Sequence, residues 1–360
     1  MVTTEGDLLR VRDGWLLALG LGFLAWSLLG RFLIPLVLAK PDSRKTHSER
    51  ADGKGRSKSG ERPYVEEHGE QGPAIVLTHG WSLDSTAWYY AKHDLSQDFK
   101  LITWDLPGMG RSKSVNPISL SGFAEELRRL IGKRSSGEPV VLVGHSIGGM
   151  TIQTLAQEHP ELFTREVAGI VLLNTTYTNP LKTIIFSRLM QALQKPILEP
   201  AMHLTKALQP LIWVVAWQSY LSGWTHVANR FGFGKYVTRS QLEHVSLLTT
   251  RNSPGNVAQG NLAMFNWDAT GALAELSIPI LVIGGTMDIV TKPEASKALA
   301  ASNPHARLLL IEGVNHMGFM ERPELYNAAI AEFVSEIFRR RDGLERTMRS
   351  APTSMDRLSE

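Results

Sequence analysis

The body of the chain alternates short runs of Val, Ile and Leu with stretches of helical periodicity. Continuous apolar runs are typical of strands that helices cover on both faces, and their alternation with helices indicates an α/β fold with a mostly parallel sheet. Ligand sites of such sheets lie beyond the carboxyl ends of the strands. The predicted strands are residues 74–78, 100–104, 139–143, 169–173, 280–283 and 307–311.

The alternation breaks between residues 178 and 266, where helix-forming residues and three tryptophans dominate. An insertion after a strand of such a sheet is expected to cover the functional site. The predicted segments are an N-terminal flank (1–13), a transmembrane anchor (14–39), a basic flexible linker (40–62), the first core part (63–177), a helical cap (178–266), the second core part (267–338) and a polar tail (339–360).

The predicted anchor is apolar except for Arg31. Its 26 residues would reach about 39 Å as a helix, and a bilayer has a hydrocarbon core of about 30 Å. We therefore expect one membrane span, with Arg31 extending toward the interface. A cleaved signal peptide ending at 37–39 is an alternative, but residues 1–13 mix acidic and basic side chains instead of forming a basic leader. A buried or surface-lying helix is the other alternative.

The predicted linker, residues 40–62, carries eight Lys or Arg against four Asp or Glu. Basic residues after a span favour the cytoplasmic side, so the following domain is expected in the cytoplasm. The same residues would also suit anionic headgroups, and a simple solvated linker explains them equally well.

Composition excludes several classes of protein. The 360 residues include no Cys, which excludes a disulfide scaffold, a Cys-ligated metal and a Cys nucleophile. Lys and Arg number 38 against 35 Asp and Glu, a balance that does not favour nucleic acid as a partner. No His, Asp and Glu spacing is typical of a metal site, so neither metal nor cofactor is expected. The oligomeric state stays open.

The motif Gly144-His145-Ser146-Ile147-Gly148 lies between a predicted strand and a predicted helix. Small residues at its ends allow a sharp turn that exposes the serine, and the helix N-terminus behind it stabilises negative charge. A serine hydroxyl attacks only when a base removes its proton, and that base must be oriented. This context predicts Ser146 as a nucleophile.

Two further motifs supply the predicted base and its orienting acid. Asp288 follows the strand at 280–283, and His316 follows the strand at 307–311, so both belong at the same sheet edge as Ser146. His79-Gly80-Trp81 follows the first core strand, which places the backbone amides of Trp81 and Ile147 to form an oxyanion hole.

The chain from about residue 73 to 338 resembles the α/β-hydrolase fold family of serine hydrolases, in its capped esterase, monoacylglycerol-lipase and haloperoxidase-like branch. The motifs that carry the resemblance are HGW (79–81), DLPGMGRS (105–112), GHSIGG (144–149), GGTMD (284–288) and GVNH (313–316). The resemblance implies a helical cap and a triad of Ser146, Asp288 and His316. The sequence differs from epoxide hydrolases and haloalkane dehalogenases, which carry Asp at the nucleophile position.

The expected activity is hydrolysis of a carboxylic ester, with a lipid or monoacylglycerol-like ester as one option. Perhydrolysis, C–C bond hydrolysis and acyl transfer use the same triad and stay open. A non-catalytic binding protein on this scaffold is the alternative from another class. Trp213, Trp217 and Trp224 of the predicted cap are candidates for the substrate wall, with packing inside the cap as the other explanation.

Overall fold

A computed structural model describes residues 5–47, 63–114, 117–134 and 137–350. The strands are β1 Val65–His68, β2 Ala74–Thr78, β3 Lys100–Trp104, β4 Val140–His145, β5 Val167–Leu173, β6 Ile280–Gly285 and β7 Ala306–Ile311. The helices outside the cap are α1 Glu5–Leu38, α2 Tyr89–Leu95, α3 Leu120–Arg134, α4 Ile147–Glu158, α5 Leu162–Arg165, α13 Pro293–Ala301, α14 Gly318–Glu321 and α15 Pro323–Ser350.

The described strands form one sheet in the order β1-β3-β2-β4-β5-β6-β7, and every neighbouring pair except β1–β3 is parallel. The predicted mostly parallel sheet is thereby confirmed. Each predicted strand occurs within two residues of its expected bounds. The antiparallel edge strand β1 was not predicted, because two adjacent glutamates interrupt its apolar pattern.

Alternate residues of the strands enter two separate apolar cores. On one face, Val76, Leu142 and Ile170 pack with residues of α3, α4 and α13. On the other, Leu77, Val143 and Val171 pack with residues of α2 and α15. The helices on both faces explain why the strands are apolar along their whole length.

The helices between β5 and β6 form the cap. They are α6 Pro180–Thr183, α7 Ser187–Leu193, α8 Glu199–Ala207, α9 Gln209–Leu221, α10 Trp224–Arg230, α11 Arg239–Arg251 and α12 Pro254–Phe265. A π-helical turn, Gln194–Leu198, joins α7 to α8. Local sequence sets the starts of the later helices: Thr238 and Gln241 form a capping box at α11, and Ser253 caps α12 ahead of Pro254.

Helix α1 contains one segment, Gly14–Leu38, that is long and apolar enough to cross a membrane. Its carboxyl-terminal third packs on the cap instead of standing apart. A Cβ atom added at Gly30 would lie 2.1 Å from Ser222 O, and Gln218 Nε2 donates to Ser27 O at 2.9 Å. Arg31, which was expected to extend toward the membrane interface, donates Nη1 to the Tyr220 hydroxyl of the cap at 2.9 Å.

Two predicted boundaries are corrected. Residues 40–47 of the expected flexible linker lie against the folded domain: Lys40 bridges to Thr238, Arg44 pairs with Asp94 at 2.6 Å, and Thr46 is buried beside His244. The rest of that segment, 48–62, lies outside the described residues. Residues 339–350 of the expected polar tail belong to α15, and an i,i+4 ion pair between Glu336 and Arg340 supports the helix across the predicted boundary.

Candidate active site

Ser146 occupies the turn between β4 and α4 in a strained conformation, with φ +53° and ψ −119°. Gly144 and Gly148 on either side are required, because neighbouring backbone atoms leave no room for a Cβ atom at either position. A Cβ atom at Gly144 would lie 2.5 Å from the Gly148 carbonyl carbon, and one at Gly148 would lie 2.3 Å from Thr78 O. The strain holds the serine side chain clear of the sheet, at the amino end of a twelve-residue helix.

The three predicted triad residues lie together at the carboxyl edge of the sheet. Ser146 Oγ lies 3.0 Å from His316 Nε2, and His316 Nδ1 lies 3.1 Å from Asp288 Oδ2. Both are hydrogen-bonding distances. The order serine, imidazole, carboxylate allows the hydroxyl proton to pass to His316 while Asp288 stabilises the resulting charge.

The Asp288 carboxylate is buried, and both of its oxygens accept hydrogen bonds. Its Oδ1 accepts backbone N–H bonds from Val290 and Thr291, both at 2.8 Å, and its Oδ2 accepts from Asn174 Nδ2 at 2.9 Å. Burial alone would raise the pKa of Asp288, but His316 and these hydrogen bonds outweigh it and lower the pKa below its ordinary value. Asp288 is therefore ionised at neutral pH, as an orienting acid requires.

The two predicted oxyanion residues are Ile147, which follows Ser146 in the chain, and Trp81. Ile147 is the first residue of α4, so its N–H has no acceptor within that helix. Trp81 lines the same cavity as Ser146. Its indole Nε1 donates to Val257 O in α12 at 3.1 Å, and a Cβ atom on Gly260 would lie 2.0 Å from the indole ring. The cap thus clamps the loop that carries the Trp81 amide, a contact that the sequence did not indicate.

Neighbouring polar residues brace the site. His79 donates Nδ1–H to Gly80 O at 2.8 Å and accepts from Leu106 N at 2.9 Å, which ties two strand ends together. His145 Nε2 donates to His316 O at 3.0 Å. Burial lowers the pKa of His145 to about 3, so its ring is neutral and acts as a packing and hydrogen-bonding group.

A cavity of about 610 Å³ extends from Ser146 and His316 into the cap. Its wall is largely apolar. The core contributes Trp81, Met150 and Met317, and the cap contributes Leu181, Met190, Leu198, Met202, Phe231, Met264 and Phe265. Such a cavity suits an apolar chain next to a reactive carbonyl.

The three cap tryptophans do not line this cavity. Trp213 turns inward and donates Nε1 to Thr250 O at 3.0 Å, Trp217 stacks edge-on against Tyr220, and Trp224 is 64% exposed on the outer face. The expectation that they form the substrate wall is corrected. Methionine and phenylalanine supply the wall instead, and α-helical periodicity alone did not show which side of each cap helix faces inward.

In the part of the chain that the structure describes, no group of three or more His, Asp or Glu side chains is placed to hold a metal ion.

Residues 73–323 match the profile of the alpha/beta hydrolase fold family. The chain belongs to this family. A pimeloyl-[acyl-carrier protein] methyl ester esterase of Vibrio atlanticus is 23% identical over 273 residues, which cover 74% of this chain and 96% of that protein. The enzyme of the same name from Edwardsiella ictaluri is 28% identical over 259 residues, covering 72% and 92%.

Solved structures show the same fold. An esterase from Exiguobacterium antarcticum superposes with a TM-score of 0.61 at 20% identity, covering 76% of this chain and 95% of its own. The enol-lactonase from Burkholderia xenovorans superposes with a TM-score of 0.59 at 19% identity, covering 76% and 96%. Family membership and the esterase relatives identify the chain as an enzyme, a carboxylesterase-type hydrolase.

Proposed function

We propose that this α/β hydrolase is a membrane-anchored serine hydrolase that cleaves carboxylic esters with an apolar acyl chain, such as a lipid or monoacylglycerol-like ester. The observation that carries the proposal is the 3.0 Å contact between Ser146 Oγ and His316 Nε2 at the floor of an apolar cavity. The relatives named as methyl ester esterases support ester cleavage.

The proposed reaction has two halves. His316 accepts the Ser146 proton as Oγ attacks the ester carbonyl, and the amides of Trp81 and Ile147 bind the oxyanion. Collapse of the tetrahedral intermediate breaks the ester C–O bond. His316 protonates the departing alcohol, and the acyl group stays on Ser146. Water then attacks the acyl-enzyme, giving up a proton to His316, and release of the carboxylic acid restores the Ser146 hydroxyl.

Retention of α1 as an anchor is supported by its contacts with the cap. Removing residues 1–39 as a leader would uncover the Ser222 backbone, which Gly30 contacts closely, and would leave Tyr220 without the Arg31 bond. The basic residues after α1 favour a cytoplasmic catalytic domain. A C-terminal fusion to a reporter that is active on one side of a membrane would test that orientation.

A fluorophosphonate probe on the full-length protein in membranes tests the catalytic proposal. We expect wild-type labelling, and loss of labelling together with at least a thousandfold loss of ester turnover in Ser146→Ala and His316→Ala. His305→Ala is the matched control, because His305 is exposed and lies outside the cavity. Turnover by Ser146→Ala at the wild-type rate would contradict the proposal. With p-nitrophenyl and glycerol esters of graded length, turnover should rise with acyl chain length.

A further inference from the structure

The apolar part of α1 that precedes its contacts with the cap is too short to cross a bilayer, since residues 5–13 of the helix carry five charged side chains. Residues 14–26 precede the first cap contact at Ser27. They rise about 20 Å at ~1.5 Å per residue, and a bilayer has a hydrocarbon core of about 30 Å. If α1 spans the membrane, as the proposed function requires, residues 27–33 must also lie in hydrocarbon. The cap residues packed against them must then enter the same leaflet.

The partners of Arg31 are compatible with a position of this residue inside the hydrocarbon. Its guanidinium bonds to the Tyr220 hydroxyl and lies 4.0 Å from Glu243 Oε1. A charged side chain within hydrocarbon is costly unless it is paired with groups inside the protein. The cap supplies those groups, so the charge in α1 is compatible with partial immersion.

The outer face of α9 is apolar, unlike that of a helix that faces water. The helix turns Trp213 and Tyr220 inward and leaves Leu211, Val214 and Val215 exposed, with Val214 66% exposed. A surface helix in water carries polar residues on this side. The exposed apolar face continues from α9 onto α1, because Gln218 and Ser222 contact Ser27 and Gly30.

The active-site cavity reaches the surface of the cap at Phe231. Phe231 lines the cavity and is 67% exposed, and Met190 and Leu198 of the wall follow the exposed residues Leu189 and Ile197. The segment 183–221 carries Arg188, Lys195 and Lys206 against the single acid Glu199, a charge that suits anionic headgroups.

From these observations we propose that the outer face of the cap, formed by α9, Leu189 of α7 and Ile197 of the turn that joins α7 to α8, is a second membrane-contact surface. Its occupant is the hydrocarbon of the leaflet that α1 enters. The entrance beside Phe231 then lies at the boundary between headgroups and acyl chains, and an ester substrate passes laterally from the leaflet to Ser146. This inference rests on the proposed membrane anchor and extends it from α1 to the cap.

The absence of cysteine in the chain allows single spin labels to report depth. Full-length protein in phosphatidylcholine–phosphatidylglycerol vesicles would carry a label at Val214→Cys on the cap, Phe23→Cys on α1, or Lys297→Cys on exposed α13 as the aqueous reference. Collision with oxygen marks hydrocarbon, and collision with a nickel chelate marks water. We expect the label at 214 to favour oxygen as strongly as that at 23, and the label at 297 to favour nickel.

A label at 214 that behaves like the label at 297, with the label at 23 in hydrocarbon, would overturn the proposal and leave the anchor standing. Aqueous behaviour at both 23 and 214 would overturn the anchor as well. Dipolar broadening between labels at 214 would place a second copy of the chain on this face and would also overturn the proposal. None of these three results bears on fluorophosphonate labelling of Ser146, which tests the hydrolase separately.

A functional variant completes the test. Val214→Glu with Val215→Glu alters exposed side chains outside the cavity. We expect at least a tenfold loss of turnover of a long-chain ester held in vesicles, with unchanged turnover of soluble p-nitrophenyl acetate. The control Lys297→Glu should change neither rate. An equal loss of turnover with both substrates, or no loss with either, would contradict membrane contact by this face.

Discussion

At the scale of single residues, Asn174 emerges as a positioning residue that acts through Asp288. It lies at the end of β5 with φ +43°, donates Nδ2 to Asp288 Oδ2 at 2.9 Å, and accepts from the Tyr326 hydroxyl at 2.8 Å. The sequence motifs gave this residue no role. Which amide reaches the acid is decided by strand order, because β5 and β6 are neighbours.

Asn174→Ala should lower kcat about tenfold or more, since a hydrogen bond to a charged group contributes about 1.5–3 kcal/mol. KM should stay unchanged, because Asn174 does not line the cavity. Loss of the donor also raises the pKa of Asp288, so the acid limb of the pH–rate profile should move toward higher pH. Steady-state kinetics on a p-nitrophenyl ester measure all three quantities, with exposed Asn266→Ala as the control. A lower melting temperature at unchanged kcat would show a purely structural role.

At the scale of elements, the edge strand β1 depends on a buried ion pair. Glu66 pairs with Lys92 of α2, and both side chains are buried. Burial alone would raise the pKa of Glu66, but His68, Lys92 and Tyr64 lower it to about 2 from an ordinary 4.5. A depressed carboxyl pKa stabilises the folded state above the unfolded-state pKa, and the contribution disappears as pH falls from about 4.5 to about 2.

Glu66→Gln should therefore reduce stability at pH 7 by on the order of 2–3 kcal/mol and flatten the acid dependence across that window. Urea unfolding at pH 7, 4.5 and 3 measures both effects. Glu125→Gln is the control. The pKa of Glu125 is also about 2, but this residue pairs with Arg128 on an exposed helix surface, so its replacement should lower the free energy of unfolding only slightly. An unchanged pH profile in Glu66→Gln would contradict the assignment.

The contact between α12 and Trp81 joins the cap to the oxyanion loop. A Cβ atom at Gly260 would meet the Trp81 ring at 2.0 Å, so Gly260→Val should displace the loop and lower kcat/KM at least tenfold on a soluble ester. Gly132→Val is the matched control, because no atom lies within 4 Å of its added Cβ. Circular dichroism checks that both variants fold. Equal activity in the two variants would show that the clamp does not position the oxyanion hole.

The elements that sequence predicted well share one physical property. Five of the six parallel strands are buried on both faces, and the edge strand β7 is also apolar, so apolar content alone marks all six. The triad residues follow three strand ends that parallel pairing brings to one edge. Strand β1, the cavity wall and the docking of α1 were not predicted, because each depends on contacts with residues that are distant in the sequence. Glu66 is buried where Lys92 of α2 pairs with it, and Trp213 turns inward where α9 packs on α11.

At the scale of the whole molecule, α1 packs against the cap, and in the proposed anchored state this packing would set the height of the active site above the membrane. The key contact is Gly30 against the Ser222 backbone, where any side chain would force the helix away. This contact therefore couples α1 to the cap that covers the candidate catalytic residues.

Gly30→Leu should separate α1 from the cap while leaving the apolar span intact. The protein should still sediment with membranes and should keep its turnover of soluble p-nitrophenyl acetate, but turnover of a long-chain ester in vesicles should fall several-fold. Gly22→Leu is the matched control, since no atom lies within 4 Å of a Cβ atom at that position on the same helix. Equal vesicle activity in both variants would mean that α1 acts as a simple tether. Loss of soluble-ester activity in Gly30→Leu alone would instead show that the docked helix holds the cap in its folded arrangement.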